Sequence, residues 1–448
     1  MKLFLFFAFF IVFINGQIIT TIVGNGSYGF SGDNNLAIYS QLYSPQSTFV
    51  DNYGNLYICD SQNNRIRKVN NITKIITTII GNGMTGYNGD NILAINATLY
   101  SPYGIFIDLI GNLYISDTSN NRIRFVNAST QIITTIVGTG IIGILDNVLA
   151  INSRLSFSQG IFVDLYNNIF IADTQNNRIR FVNNITKIIT TIVGNGTYGY
   201  NGDNISAINT SLSTPTGIFI DSIGNIYIVD YSNQRIRFVD SLTKIITTII
   251  GNGIGGYNGN NISATSAELY QLSAIFVDLY GNIFITCNNS IRKIENTTKL
   301  ITTIAGITTA IYGFGSYNGD NILAINATLN NPMGIFADNF GNLYITDTFN
   351  NRIRFINNSQ IISLISTTEY QSTTSSISTT NTNNIGIILE ILIPLIVLII
   401  IIIIIIAIIY YRRRKKLSNI SLSKTVIELP KIDDSIIVKA SIISEDHE

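Results

Sequence analysis

In the stretch DTQNNRIRFV, residues 173–182, Asp173 stands five residues ahead of Arg178 with two asparagines between them. A carboxylate, two amides and a guanidinium at this spacing can polarise a substrate or cap a turn. The constellation recurs with Asp60 and Arg65, Asp117 and Arg122, Asp230 and Arg235, and Asp347 and Arg352. Chemistry needs one such set, whereas five copies point to a structural device. Asp at a strand end accepts backbone N–H groups of its own turn, Asn tolerates left-handed backbone, and the following Arg can fold back as a charge-assisted partner. The aspartate–arginine pairs are therefore expected to be structural.

Other carboxylates recur in the same way. Asp51, Asp108, Asp164, Asp221, Asp278 and Asp338 each precede a turn toward Asn, which capping explains. Asp33, Asp90, Asp203 and Asp320 lie in Gly-rich loops that offer oxygens to Ca²⁺ but lack the clustered acidic spacing of a dedicated calcium loop. The single histidine is His447, so a Ser-His-Asp triad or a histidine-held metal has no ligand upstream of it. No enzyme, cofactor or metal is expected, the rival reading being a carboxylate- or calcium-dependent hydrolase or lyase.

The elements that place these residues repeat. IITTIVG-like segments start at Ile18, Ile75, Ile132, Ile188, Ile245 and Leu300, a period of 55–57 residues, and a worn copy starts at Ile361. Within each period a segment such as SPYGIFID (101–108) precedes GNLYISD (111–117), then NNRIRFVN, then the IITTIVG-like segment. Short runs of Ile, Val, Phe, Tyr and Thr between Gly, Asn and Asp are strands with turns, and their nearly continuous apolar character implies sheets covered on both faces. Four antiparallel strands per unit make a propeller blade. Three segments occur six times and the fourth seven times, so six blades are expected, with one surplus outer strand. Ile18–Val23, which keeps the full pattern, is expected to close the ring against Arg352–Ile356.

The pattern P-x-G-I-F-x-D-x-x-G-N-L-Y-I-x-D-x-x-N-N-R-I-R resembles the NHL repeat, in the long-repeat form of large surface proteins, over residues 18–365. The resemblance implies an all-β, six-bladed propeller, and its family includes protein-binding, RNA-binding, sensor and lyase members. Blade 3 departs from the pattern with Ser158 for the proline. Blade 5 has Leu272 there, Cys287 for the turn Asp, and a turn two residues shorter.

Long loops are expected on the same, upper side as the D-x-x-N-N-R turns. They carry an aromatic at one register, Phe30, Tyr87, Tyr200, Tyr257 and Tyr317, with Ile144 in the odd copy. These rings either grip a protein or glycan partner or anchor their own loops. Residues 17–384 hold 18 Lys plus Arg against 20 Asp plus Glu, a net charge of −2, so no nucleic-acid partner is expected. Cys59 and Cys287 fall in blades 1 and 5, too far apart to pair.

Beyond the repeats, residues 1–16 have the form of a signal peptide. Residues 366–384 have that of a Ser/Thr/Asn-rich stalk, 385–411 that of a transmembrane helix containing the apolar run Ile391–Ile409, and 412–448 that of a cytoplasmic tail opening on RRRKK. The expected topology is single-pass, type I, in the plasma membrane or an endomembrane, with the propeller outside or in a lumen. Sequons suit that side: Asn25, Asn71, Asn96, Asn127, Asn184, Asn195, Asn204, Asn209, Asn261, Asn288, Asn296, Asn326 and Asn357. The function expected is a protein- or glycan-binding or adhesion module.

Overall fold

The computed structural model describes residues 16–307 and 316–358, and the backbone of residues 10–13 and 363–366. The repeats form six five-stranded antiparallel sheets. In blade 2 the order from the axis outward is Ile105–Ile107, Leu113–Asp117, Arg122–Val126, Ile132–Val137 and Ile92–Leu93, and the other blades repeat it.

Four strands per blade were expected; the fifth is a correction. It comes from the long loop, where two residues pair with the fourth strand, Ile132 opposite Leu93 and Ile133 opposite Ile92. A single turn of 3₁₀ helix, Ala94–Asn96, follows, and its buried Ala94 donates its N–H to the Gln131 carbonyl at 2.8 Å. The loop thereby covers part of an outer edge whose backbone groups would otherwise be open to pairing with another chain.

Ring closure follows the expectation. Ile18–Val23 lies between Arg352–Ile356 and Ile322–Leu323 in the sixth sheet, with Ile19 opposite Ile356 and Thr21 opposite Arg354. Ser363–Ser366 is a strand, but its partner is Phe10–Phe13, inside the expected signal peptide, and not a blade. Every strand of the six sheets falls between residues 18 and 356, so the ring closes without either flank. No helix among the described residues is long and apolar enough to cross a membrane, and the stalk, apolar run and tail lie outside those residues.

The core lies between blades. Each of six apolar clusters draws on two neighbouring sheets; one joins Cys59 and Ile66 of blade 1 to Ile105 and Ile115 of blade 2. Another joins Val23 and Ile353 of blade 6 to Val50 and Ile58 of blade 1. Near-continuous apolar strands are what this double burial requires.

The closing strand should therefore count as core. Ile19→Ala, at a fully buried site, is expected to cost about 2–5 kcal/mol in denaturant unfolding, matching Ile133→Ala at the same register of blade 2. A cost well below that of Ile133→Ala would mean that the N-terminal strand is dispensable.

Candidate functional site

The second-to-third strand turn is a 3₁₀ turn, Thr174–Asn176 in blade 3, closed by Asn177 in the left-handed region at φ 53°. Asp173 is fully buried. Its Oδ1 accepts the Ser156 N–H at 2.8 Å, and its Oδ2 accepts Asn176 Nδ2 at 2.8 Å and Arg180 Nη1 at 2.9 Å. The carboxylate partner is thus Arg180, seven residues on, and not Arg178, which corrects the sequence expectation. The same substitution of partner holds in blades 1, 2, 4 and 6, where Arg67, Arg124, Arg237 and Arg354 meet Asp60, Asp117, Asp230 and Asp347 at 3.3–3.5 Å.

The buried Arg also reaches a second carboxylate. Arg180 Nη2 donates to the loop residue Asp146 at 2.7 Å, and Arg67, Arg124, Arg237 and Arg354 reach Asp33, Asp90, Asp203 and Asp320 at 2.7–3.3 Å. Asp33, Asp90, Asp203 and Asp320 are the carboxylates that offered a calcium reading. Asp90 is engaged further, Oδ1 accepting Thr135 N–H at 2.7 Å and its hydroxyl at 2.9 Å, and Oδ2 accepting the Tyr87 hydroxyl at 2.8 Å. No group of three or more His, Cys, Asp or Glu able to hold a metal occurs among the described residues.

The first Arg works at the rim. Arg178 donates to the carbonyls of Asn176 at 3.1 Å and Asn195 at 2.7 Å, tying one blade's turn to the next loop. Gly196 at φ +88° admits it; a Cβ there would lie 2.0 Å from Arg178 Nη1. In blades 1, 2, 4 and 6 this Arg covers the loop aromatic. Arg65, Arg122, Arg235 and Arg352 sit 3.8–4.0 Å above Phe30, Tyr87, Tyr200 and Tyr317. Phe30, Tyr87, Tyr200 and Tyr257 remain 38–40% exposed, and these contacts tie the rings to their own blades. The second Asn, missed at the sequence level as a connector, reaches the next blade: Asn64, Asn121 and Asn177 Oδ1 accept the N–H of Ser101, Phe157 and Thr214 at 2.9–3.0 Å, and Asn351 accepts that of Ser44 at 2.9 Å across the closure.

Blade 5 keeps its ladder despite the shorter turn, Cys287 pairing with Ser290. The thiol takes the place of the carboxylate, accepting the Tyr270 N–H at 3.5 Å. Asn260 stands where other loops have Asp, so Arg292 is fully buried with no carboxylate partner and donates to the Gly259 carbonyl at 2.8 Å beneath Tyr257. Burial holds its pKa below the usual arginine value. Cys59 and Cys287 are both free and buried, and burial raises the Cys59 thiol to about 12.

The lower turns behave as read. Asp108 Oδ1 accepts the N–H of Ile110 and Asn112 at 3.1 and 2.8 Å, while Oδ2 accepts Asn112 Nδ2 at 2.8 Å. Asp51, Asp164, Asp221, Asp278 and Asp338 repeat this cap.

Sequence reading passed over the axis. Phe49, Phe106, Phe162, Phe219, Phe276 and Phe336, one per inner strand, form a closed ring with neighbouring centroids 4.9–5.4 Å apart. A mainly apolar cavity of about 280 Å³ lies in the channel they line. The Tyr103 hydroxyl of blade 2 crosses the channel to Ser273 Oγ of blade 5 at 2.7 Å. The only signal was the identical Phe register in every G-I-F-like segment.

No family model matches the chain. NHL repeat-containing protein 2 of Gallus gallus is 21% identical over 322 residues, covering 64% of this chain and 43% of that protein. The chain is a six-bladed β-propeller whose relatives at modest identity include NHL repeat-containing proteins. Teneurin-1 of Gallus gallus is 26% identical to it over 318 residues, covering 65% of the chain and 11% of that protein. The chain thus spans less than half the length of these relatives. Among solved structures, an auxiliary nutrient binding protein from Bacteroides thetaiotaomicron superposes with a TM-score of 0.54 at 17% identity, and a protein of unknown function from the same organism with 0.56 at 16%, each over 76% of both chains. They establish the propeller fold.

One register of the upper loops lies outside the arginine, carboxylate and cation–π contacts, its backbone bridging Tyr28, Ile142 and Tyr198 to Leu42, Leu155 and Leu212 and the Tyr28 ring packing on Tyr43 at 5.5 Å. The two residues before the third loop glycine are Ser27-Tyr28, Met84-Thr85, Ile141-Ile142, Thr197-Tyr198 and Ile254-Gly255. They differ from copy to copy while the flanking glycines and the aromatic stay nearly constant. Tyr28, Met84, Ile141, Ile142, Tyr198 and Ile254 are 56–73% exposed.

Two outcomes test the turn. Asp173→Ala should cost about 3 kcal/mol or more, because it leaves Arg180 buried beside one carboxylate instead of two, whereas Arg178→Ala should cost about 1–2 kcal/mol in lost carbonyl hydrogen bonds. Equal costs in chemical denaturation would contradict the assignment of Arg180.

The second concerns pH. Burial pushes Asp60, Asp117, Asp230 and Asp347 up to about 6 from 3.8, against the opposing pull of their Asn and Arg partners, and raises Asp173 likewise. A raised carboxyl binds more protons folded than unfolded between these values. Its contribution to stability is complete below 3.8 and lost as pH rises through about 6. Tm is expected to rise from pH 7.5 to pH 5; a fall over that window would show that these carboxyls stay ionised.

Proposed function

We propose that this chain is a single-pass type I membrane protein that presents its NHL-type propeller as a protein- or glycan-binding module, with contact made by the variable upper loop tips. The observation that carries this reading is the contrast within each loop. Arginine, carboxylate and aromatic hold the frame in place, and two exposed residues at its tip change between copies. A rigid scaffold with differing exposed Tyr, Met and Ile at equivalent points is how a binding surface is assembled from repeats.

Other features support the reading. The upper-face carboxylates spend their oxygens on Arg, Asn, Thr and backbone N–H groups, which suits a scaffold better than general acid–base chemistry. The relation to teneurin and the fold shared with a nutrient binding protein agree with a binding propeller. The signal-like residues 1–16, the apolar run Ile391–Ile409 and the basic residues after it support the membrane topology, and the sequons support an extracellular or lumenal propeller carrying glycans. The net charge of residues 17–384 argues against nucleic acid as the partner.

The test is direct. Secreted fragment 17–365 is screened on glycan arrays and on intact cells, in parallel with the triple variant Tyr28→Ser, Met84→Ser, Tyr198→Ser. The variant should keep its Tm and bind at least about tenfold more weakly, as expected when exposed anchors are lost. Full binding by the variant would move the contact elsewhere. Surface biotinylation of the full-length chain checks its topology.

A further inference from the structure

The lower face carries an apolar crown that the binding reading leaves unused. The inner turns end in Leu109-Ile110, Leu165-Tyr166 and Leu279-Tyr280 in blades 2, 3 and 5, and Tyr53, Ile223 and Phe340 occupy equivalent tips in blades 1, 4 and 6. These nine side chains are 72–87% exposed, and Ile72, Ile185 and Leu242 on the outer turns are 88–89% exposed. Of the thirteen large apolar side chains more than 70% exposed among the described residues, twelve are on this face and only Tyr28 is on the other.

Folding does not ask for them. The Asp cap satisfies each inner turn's N–H groups, and Gly111 at φ +88° or its equivalent completes the reversal, so the two tip side chains are free to be polar. Apolar residues at every one of six symmetric tips form a patch of the kind that marks a contact surface.

Two observations select the partner. The tips are convex projections around a ring and not a groove, so they suit a flat, deformable surface. Both ends of the ring also leave here: Gln17 Nε2 donates to Asn358 Oδ1 at 3.2 Å, and the apolar run Ile391–Ile409 follows after residues 359–390. Charge is mixed. The six inner-turn aspartates are tied into their caps, and Lys74, Lys187 and Lys299 donate to Asn71, Asn184 and Asn296 at 2.7–3.1 Å. Attraction is then apolar and not ionic.

We infer that the crown seats on a zwitterionic phospholipid bilayer, with its Leu, Ile, Tyr and Phe tips entering the interfacial layer. The inner tips carry no sequon. Asn71, Asn127, Asn184 and Asn296 lie on the outer turns, so glycans there would encircle the contact. The inference rests on the tethered reading for the significance of the chain exit alone.

Flotation with phosphatidylcholine vesicles tests it, using secreted fragment 17–365, whose six sheets are complete. The fragment should float with the vesicles, and raising NaCl from about 0.1 to about 0.5 M should change the bound fraction less than about twofold. The variant Leu165→Ser, Tyr166→Ser, Leu279→Ser, Tyr280→Ser should keep its Tm and partition at least about tenfold more weakly. Equal flotation by the variant, binding seen only after enzymatic deglycosylation, or no binding together with a concentration-dependent dimer that the variant abolishes would each overturn the proposal. Carbonate extraction of the full-length chain addresses the tether separately, since its release would refute the span and leave the flotation result unaffected.

Discussion

A guanidinium buried at the top of each blade is the interaction on which the upper face depends. Removing an arginine from water costs several kcal/mol, and that cost is offset only when carboxylates and carbonyls meet its N–H groups in good geometry. Arg180 meets Asp173 on the turn and Asp146 on the loop, and so joins the two segments. Its position then fixes the Asn that shares Asp173, the loop carbonyl that the same Asn reaches, and the threonine that meets the loop carboxylate. Blade 5 marks the limit of the dependence. With Cys287 and Asn260 in place of both aspartates, the fold survives on its apolar interfaces, while Arg292 is left without an anion.

The network runs round the ring with one interruption. Asn64, Asn121, Asn177 and Asn289 each accept an N–H from the next blade, Gln234 holds this register in blade 4 with its buried Oε1 unpartnered, and the bond from Ser44 to Asn351 carries the pattern across the junction closed by Ile18–Val23. Inner strands brought together in this way place one phenylalanine each at the axis, where six rings pack against one another at interplanar angles of 50–64°. The two faces consequently differ. The upper one is a polar lattice with variable tips, and the lower one is a set of capped turns with apolar tips.

Sequence by itself determined what is local and periodic. The 55–57-residue spacing, the Gly and Asn turn residues and the count of strand segments specified six blades, their strand order and the N-terminal closing strand, because period and turn chemistry need no knowledge of neighbours. Tertiary structure decided everything that depends on depth. Arg178 lies directly across from Asp173 in the ladder, yet it sits at the rim, where carbonyls and solvent satisfy it. Arg180, two residues further in, is shut away from water, and there only a carboxylate neutralises it. The fifth strand is two residues long and exists because the loop folds back onto an outer edge. The phenylalanine ring and the lower crown each join residues separated by a whole repeat or more. No single copy of the repeat reveals them, because a side chain faces an axis or a shared surface only once the ring has closed.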